Sequence, residues 1–217
     1  MSDLLITNVD VLTDNGTLKN HAVEIENGYI TAILTGEEAK SAQSKETLDG
    51  KGQLAAPGLV NTHTHIAMGL FRNYADDLEL MEWLETAIWP TEAKLNDDLV
   101  KWGTQLGIAE MLRSGTTTFS DMYFFMNTTA DVVKETGIRA VLSRGLAGVS
   151  PTADQALVEN ADLFRTYHGL IRTTCAIYLS RCVYGKGYRF VSRTKLWHSY
   201  ALIRNQRGSG KCYKSDW

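Results

Sequence analysis

Pro57-Gly58-Leu59-Val60-Asn61-Thr62-His63-Thr64-His65 is the stretch on which the fold turns. A Pro-Gly turn precedes two apolar residues and the run ends in polar side chains, the pattern of a short buried strand with a polar tip. Residues i and i+2 of a strand point to the same side, so the imidazoles of His63 and His65 can meet one ion. Neutral imidazole nitrogen suits zinc or another divalent first-row metal. A bare HxH is weak evidence, because two histidines two apart arise often by chance. The context adds weight: a strand of small and apolar residues has little packing reason to end in two histidines.

Downstream, apolar residues at helical spacing (Leu78, Leu80, Met81, Leu84, Ile88) predict a helix within residues 76–94. Asn96-Asp97-Asp98 supplies the N-cap of an amphipathic helix over Leu99–Arg113, closed by Gly115. Thr116–Met122 reads as a strand with Asp121 at its end, and Thr129–Thr136 as a helix stopped by Gly137. Ile138–Ser143 is a strand ending at Arg144, Ala153–Tyr167 a helix, and Ile171–Ala176 a strand again. Such alternation means parallel βα units, in a doubly wound sheet or a (β/α)8 barrel, both of which place chemistry at strand C-termini. A barrel needs eight strands and about 250 residues. The pattern alone therefore amounts to about four βα units, roughly half a barrel.

Upstream, Leu4–Val9, Ala22–Glu26 and Tyr29–Leu34 are predicted strands, with Asn27-Gly28 as a tight hairpin turn. Residues 37–49 read as a polar loop leading to another short strand. The expected organisation is a small β-sandwich-like unit over 1–56, a partial α/β barrel over 57–176 and a distinct tail over 177–217.

With 44% hydrophobic and 22% charged residues the composition is that of a globular protein, and the net charge of -3 favours neither nucleic acid nor a membrane surface. The average conceals an asymmetry. Residues 1–170 hold 12 Lys and Arg against 24 Asp and Glu, whereas residues 171–217 hold 10 basic residues and one acid, Asp216. The three cysteines, Cys175, Cys182 and Cys212, all fall in that second part. No CxxC or Cys/His cluster surrounds them, which argues against a zinc knuckle and for free thiols in a reducing compartment. The N-terminus carries no basic and apolar leader pattern and no apolar run reaches spanning length, so a cytoplasmic location is expected.

The segment PGLVNTHTH after a small β unit resembles the first barrel strand of the metal-dependent amidohydrolase superfamily. HIAMGLFRNYADDLELMEWLETAIWPTEAKL is more specific and resembles the 5-methylthioadenosine/S-adenosylhomocysteine deaminases, with triazine chlorohydrolases and guanine-type deaminases nearby. The resemblance spans residues 1 to about 175, includes SGTTTFSDMY, and is the reason to prefer a TIM barrel over a doubly wound sheet. It implies that His63 and His65 are two ligands of a zinc or similar ion. It implies that Glu92 accepts hydrogen bonds from ribose hydroxyls and that Arg144 binds the carboxylate of an amino-acid moiety. Read without the family, Glu92 is a solvated helix residue and Arg144 a surface ion-pair partner. The implied reaction is hydrolytic deamination of an adenine nucleoside by metal-activated water, in a homo-oligomeric parent enzyme with a small-molecule substrate.

Asn61 and Asp121 flank the same strand ends and are read as structural, with orientation of a ligand histidine as the rival role. His21 reads as a surface residue and His168 as part of a helix C-cap. Trp83, Trp89 and Trp102 are expected in the core, with Trp89, Leu70 and Phe71 as candidates for an apolar wall around a thioether. From about residue 176 the resemblance stops. The third metal histidine and the proton-shuttling glutamate of an HxHxxE strand end, a substrate-contacting Pro-His turn and a last metal aspartate have no counterpart, and His198 stands alone in LWHSY. A shifted reading frame accounts for the loss of Glu and the gain of Arg, Cys, Tyr and Trp together, and a true basic extension is the rival. This polypeptide is therefore expected to be a truncated, unstable and inactive form of a deaminase. The alternatives are a triazine chlorohydrolase, a guanine or cytosine deaminase, or a non-catalytic fragment.

Overall fold

The computed structural model describes residues 1–147, 152–167, 172–173 and 177–178. Two compact units divide at Gly58 and Leu59. In the first, β1 (Ser2–Thr13), β2 (Gly16–Glu26), β3 (Tyr29–Thr35) and β4 (Ser44–Ala55) form one sheet of order β3-β2-β1-β4, with a short helix α1 (Gly36–Ala39) between β3 and β4. The β2–β3 hairpin turns at Asn27 (φ 51°) and Gly28 (φ 78°), two left-handed residues as a tight type I′ turn requires. Thr35 and Glu38 cap α1 reciprocally.

Two expectations fail in this unit. Residues 44–49 are not loop but the start of β4, which runs parallel to β1 from Ser2↔Ser44 onward. SKETLDG lacks apolar alternation because most of its side chains face solvent. Pairing on a sheet edge needs only backbone groups, which leave no mark in hydrophobic pattern. The unit also forms a single sheet around Val9, Val11 and Val23, not a stacked pair.

The second unit alternates strand and helix. Its parallel sheet has the order β5-β6-β7-β9, built from β5 (Leu59–Thr64), β6 (Thr116–Tyr123), β7 (Arg139–Arg144) and β9 (Arg172–Thr173). Between the first two strands lie a 3₁₀ turn (Ile66–Phe71), a helical run and the long helix α4 (Asp97–Arg113). α5 (Met126–Thr136) and α6 (Ala153–Tyr167) follow β6 and β7, and a two-residue pair joins β8 (Leu146–Ala147) to β10 (Ile177–Tyr178). The helical run is α2 (Leu80–Trp83), a π turn (Leu84–Ile88) and α3 (Trp89–Glu92) in sequence. Pro90 explains the π turn: its ring would strike the Thr86 carbonyl, and a widened turn, with the Trp89 N–H bonded to Leu84 O, relieves the clash. Asn96 caps α4 by accepting from the Leu99 N–H at 2.9 Å, and Gly137 (φ 72°) ends α5.

The core of this unit gathers Ile66, Val100, Ile108, Phe119, Tyr123, Leu142 and Leu163. Two glycines bring the 3₁₀ turn hard against α4. A Cβ on Gly103 would lie 2.7 Å from the Ala67 carbonyl oxygen, and one on Gly107 2.5 Å from Ile66 Cγ1. The tryptophans depart from expectation: Trp83 is half-buried, Trp89 exposed and Trp102 65% exposed. Trp102 lies on α4 opposite the buried positions Val100, Gly103, Thr104 and Ile108. β5 is not the buried strand expected either, since Leu59 and Val60 are each 61% exposed. Among the described residues β6 is its only sheet neighbour. No helix of the described residues is long and apolar enough to cross a membrane. Cys175, His168, His198 and the tail from 179 lie outside the described residues.

Candidate metal centre

β5 ends at Thr64, so its last turn of chain delivers His63 and His65 together. Imidazole nitrogens bound at about 2.0–2.1 Å to one tetrahedral ion would hold the two ring centroids roughly 5 Å apart; here they lie 5.4 Å apart with planes at 83°. The Asn61 side chain accepts from the His63 N–H at 3.2 Å and fixes the strand tip. His65 Nδ1 sits 2.6 Å from the Met122 carbonyl oxygen. A carbonyl only accepts, so Nδ1 is the donor, and in the neutral ring this leaves Nε2 as the nitrogen whose lone pair faces a metal. The donor chemistry thus fits a first-row divalent ion, with two ligands among the described residues. Among the described residues no three His, Cys, Asp or Glu side chains cluster for a metal.

Asp121 is buried and accepts from the Ile66 N–H at 3.0 Å. It braces the backbone beyond His65, not an imidazole ring. Burial pushes its carboxyl up to about 7, against the pull of the Ile66 and Met122 N–H groups, and Oδ2 has no hydrogen-bond partner. Neither Asn61 nor Asp121 orients a ring; the Met122 carbonyl does.

Glu92 ends α3 half-buried, and burial raises its carboxyl above the ordinary range, with Tyr123, His65 and Arg144 pulling the other way. The influence of His65 and Arg144 puts three of the four expected site residues in one electrostatic neighbourhood, and His63 adjoins through His65. Arg144 closes β7. Its Nε donates to Glu159 Oε2 at 2.8 Å and its guanidinium lies 4.3 Å over the Phe124 ring. Asn160 accepts from the Arg144 N–H at 2.8 Å and donates to its carbonyl at 2.7 Å. The side chain is thus largely buried and held on two sides, unlike a free surface arginine. Tyr123, Phe124, Glu159, Asn160 and the Met122 carbonyl escaped the sequence reading. SDMYFF offered two of them as aromatics following a strand; nothing marked the others. His21 belongs to the first unit, with Nδ1 2.7 Å from the Lys19 carbonyl.

A parallel α/β sheet with paired histidines on its first strand tip defines a class of metal-dependent hydrolases. The chain belongs to the amidohydrolase family, whose model matches residues 54–177. It is 45% identical over 173 residues to a 5-methylthioadenosine/S-adenosylhomocysteine deaminase of Desulforamulus reducens, covering 78% of this chain and 40% of the relative. It is 53% identical over 150 residues to a 5'-deoxyadenosine deaminase of Methanosarcina mazei, covering 67% and 34%. Among solved structures, an adenosine deaminase from Xanthomonas campestris with bound zinc superposes with a TM-score of 0.75 at 37% identity, covering 81% of this chain and 43% of that one. The chain spans about 40% of the length of the curated relatives it matches.

Proposed function

We propose that this chain carries the first metal-binding and substrate-binding residues of a hydrolase that deaminates adenine nucleosides of the 5'-methylthioadenosine and S-adenosylhomocysteine type. One observation carries the reading: His65, oriented by the Met122 carbonyl and paired with His63, lies in the electrostatic reach of Glu92, which also feels Arg144. The names of the relatives support the same substrate class. The four parallel strands are then the first half of a (β/α)8 barrel, residues 1–56 its small β unit and 177–217 a separate tail. The substrate is a small molecule met in the cytoplasm, and the full-length enzyme is a homo-oligomer.

In this reading zinc, or a similar divalent ion, held by His63 and His65 supplies Lewis-acid activation of water. Asn61 holds the His63 backbone and the Met122 carbonyl holds the His65 ring. Glu92 accepts hydrogen bonds from the ribose diol. Arg144, already steadied by Phe124 and Glu159, turns its fork to a substrate carboxylate. Net, water replaces the amino group on the purine carbon, giving the inosine-type nucleoside and ammonia. Among the described residues two imidazoles fall at least one ligand short of a catalytic zinc set, so the 217-residue chain alone is expected to release no ammonia. The test is a chimera in which the Desulforamulus relative's remaining sequence follows residue 176. Loaded with zinc, it is expected to release ammonia from 5'-methylthioadenosine and to lose that activity with His63→Ala. A folded, zinc-loaded chimera inactive on 5'-methylthioadenosine, 5'-deoxyadenosine and adenosine refutes the reading.

A further inference from the structure

Tyr123 is 5% exposed, and its hydroxyl has no hydrogen-bond partner among the described residues. Buried tyrosine hydroxyls normally find a partner, so an orphan beside a candidate ligand site asks what fills it. The ring lies 6.0 Å from that of His65, tilted 33°, and packs edge-on against Phe124 at 5.1 Å. Phe124 in turn carries the Arg144 guanidinium. The buried ring is therefore held between His65 and Phe124, with the Glu92 and Asp121 carboxyls bearing on its hydroxyl. Burial and then the neighbouring Glu92 carboxylate push the phenol up, and Glu92 lies close to the hydroxyl without reaching hydrogen-bond geometry. Asp121 Oδ2, the other orphan on the same face of β6, differs because Oδ1 already serves the Ile66 N–H.

We propose that Tyr123 Oη is a substrate-contacting group, donating a hydrogen bond to the oxygen of a sugar hydroxyl whose own proton is accepted by Glu92. A carboxylate only accepts and a phenol can donate, while a sugar hydroxyl does both. The pair therefore distinguishes a hydroxyl from hydrogen at that carbon. This assignment rests on the nucleoside reading of the site and adds its sugar specificity.

Tyr123→Phe removes one oxygen and keeps the ring. Because that oxygen is unpartnered in the unliganded protein, its loss leaves the thermal midpoint unchanged or raises it. Calorimetry then follows two probes on the 217-residue chain equilibrated with zinc, 5'-methylthioadenosine and its 2',3'-dideoxy analogue. Tyr123→Phe is expected to weaken the first about ten-fold and leave the second unchanged. Equal effects on both probes, or a lowered thermal midpoint, overturn the role of Tyr123 while the nucleoside site stands. If the unsubstituted, zinc-loaded chain binds neither probe, the tyrosine assignment falls, and ammonia release by the chimera decides the nucleoside reading separately.

Discussion

His65 commits Nδ1 to the Met122 carbonyl at 2.6 Å, and this contact turns a histidine at a strand tip into a candidate ligand. HxH spacing was legible because strand alternation is a property of the backbone. The orienting carbonyl was not, because every residue type carries one. Asp121 and Asn61 were correctly singled out by position, but their partners are backbone N–H groups, which side-chain identity does not reveal. His63→Ala or His65→Ala is expected to lower zinc affinity roughly 100-fold, since even the loss of an orienting partner costs 10–100-fold. Competition against a chromophoric chelator measures it, and unchanged zinc uptake by both variants would remove the site. Arg144 was legible as a functional candidate only through family resemblance; its stacking on Phe124 depends on the β6–β7 register, in which Tyr123 lies opposite Arg144.

Elements follow the same division. The caps of α4 and α5 at Asn96 and Gly137 could be read directly, because capping is chemistry of one or two residues. The closeness of α4 to the 3₁₀ turn could not, since it depends on which atoms face Gly103. Gly103→Ala gains up to about 1 kcal/mol of helix propensity and loses about 1–3 kcal/mol to overpacking. A backbone carbonyl 2.7 Å from the new Cβ has little room to yield, so the loss wins. Urea unfolding should report net destabilisation. Gly107→Ala meets the Ile66 side chain, which can change rotamer, and should cost less; the reverse order would contradict this packing. Between α5 and α6, Tyr167 donates to Asp131 Oδ1 at 2.7 Å, and burial together with that bond pushes the phenol up to about 12. A folded value above the unfolded one of about 10 means that its contribution is complete below about pH 10 and lost as pH rises toward 12. Tyr167→Phe should cost about 1 kcal/mol at neutral pH and flatten stability over that alkaline window. A slope unchanged in the variant would assign it to other groups.

At the scale of the molecule, the second unit leaves apolar surface uncovered. Leu59 and Val60 on β5 are exposed, and so are Leu99, Trp102 and Leu106 along the outer side of α4. Such surface binds hydrophobic dyes and promotes association. Trp102→Ser with Leu106→Ser should reduce dye binding and light scattering while leaving unfolding within about 0.5 kcal/mol per site. Unchanged scattering would point to the sheet edge instead. The tryptophans were expected inside because large aromatics usually are, but which side of α4 is covered depends on neighbours that no local pattern encodes. The sequence by itself determined the alternation of strands and helices, the caps at Asn96 and Gly137 and the pair of histidines, since periodicity, capping and strand alternation act within a few residues. Only the tertiary structure decided that β4 joins β1, that Met122 orients His65, and that Tyr123 comes to lie unpartnered beside Glu92. Those relations join residues distant along the chain, and backbone pairing and burial leave no signature in any one segment.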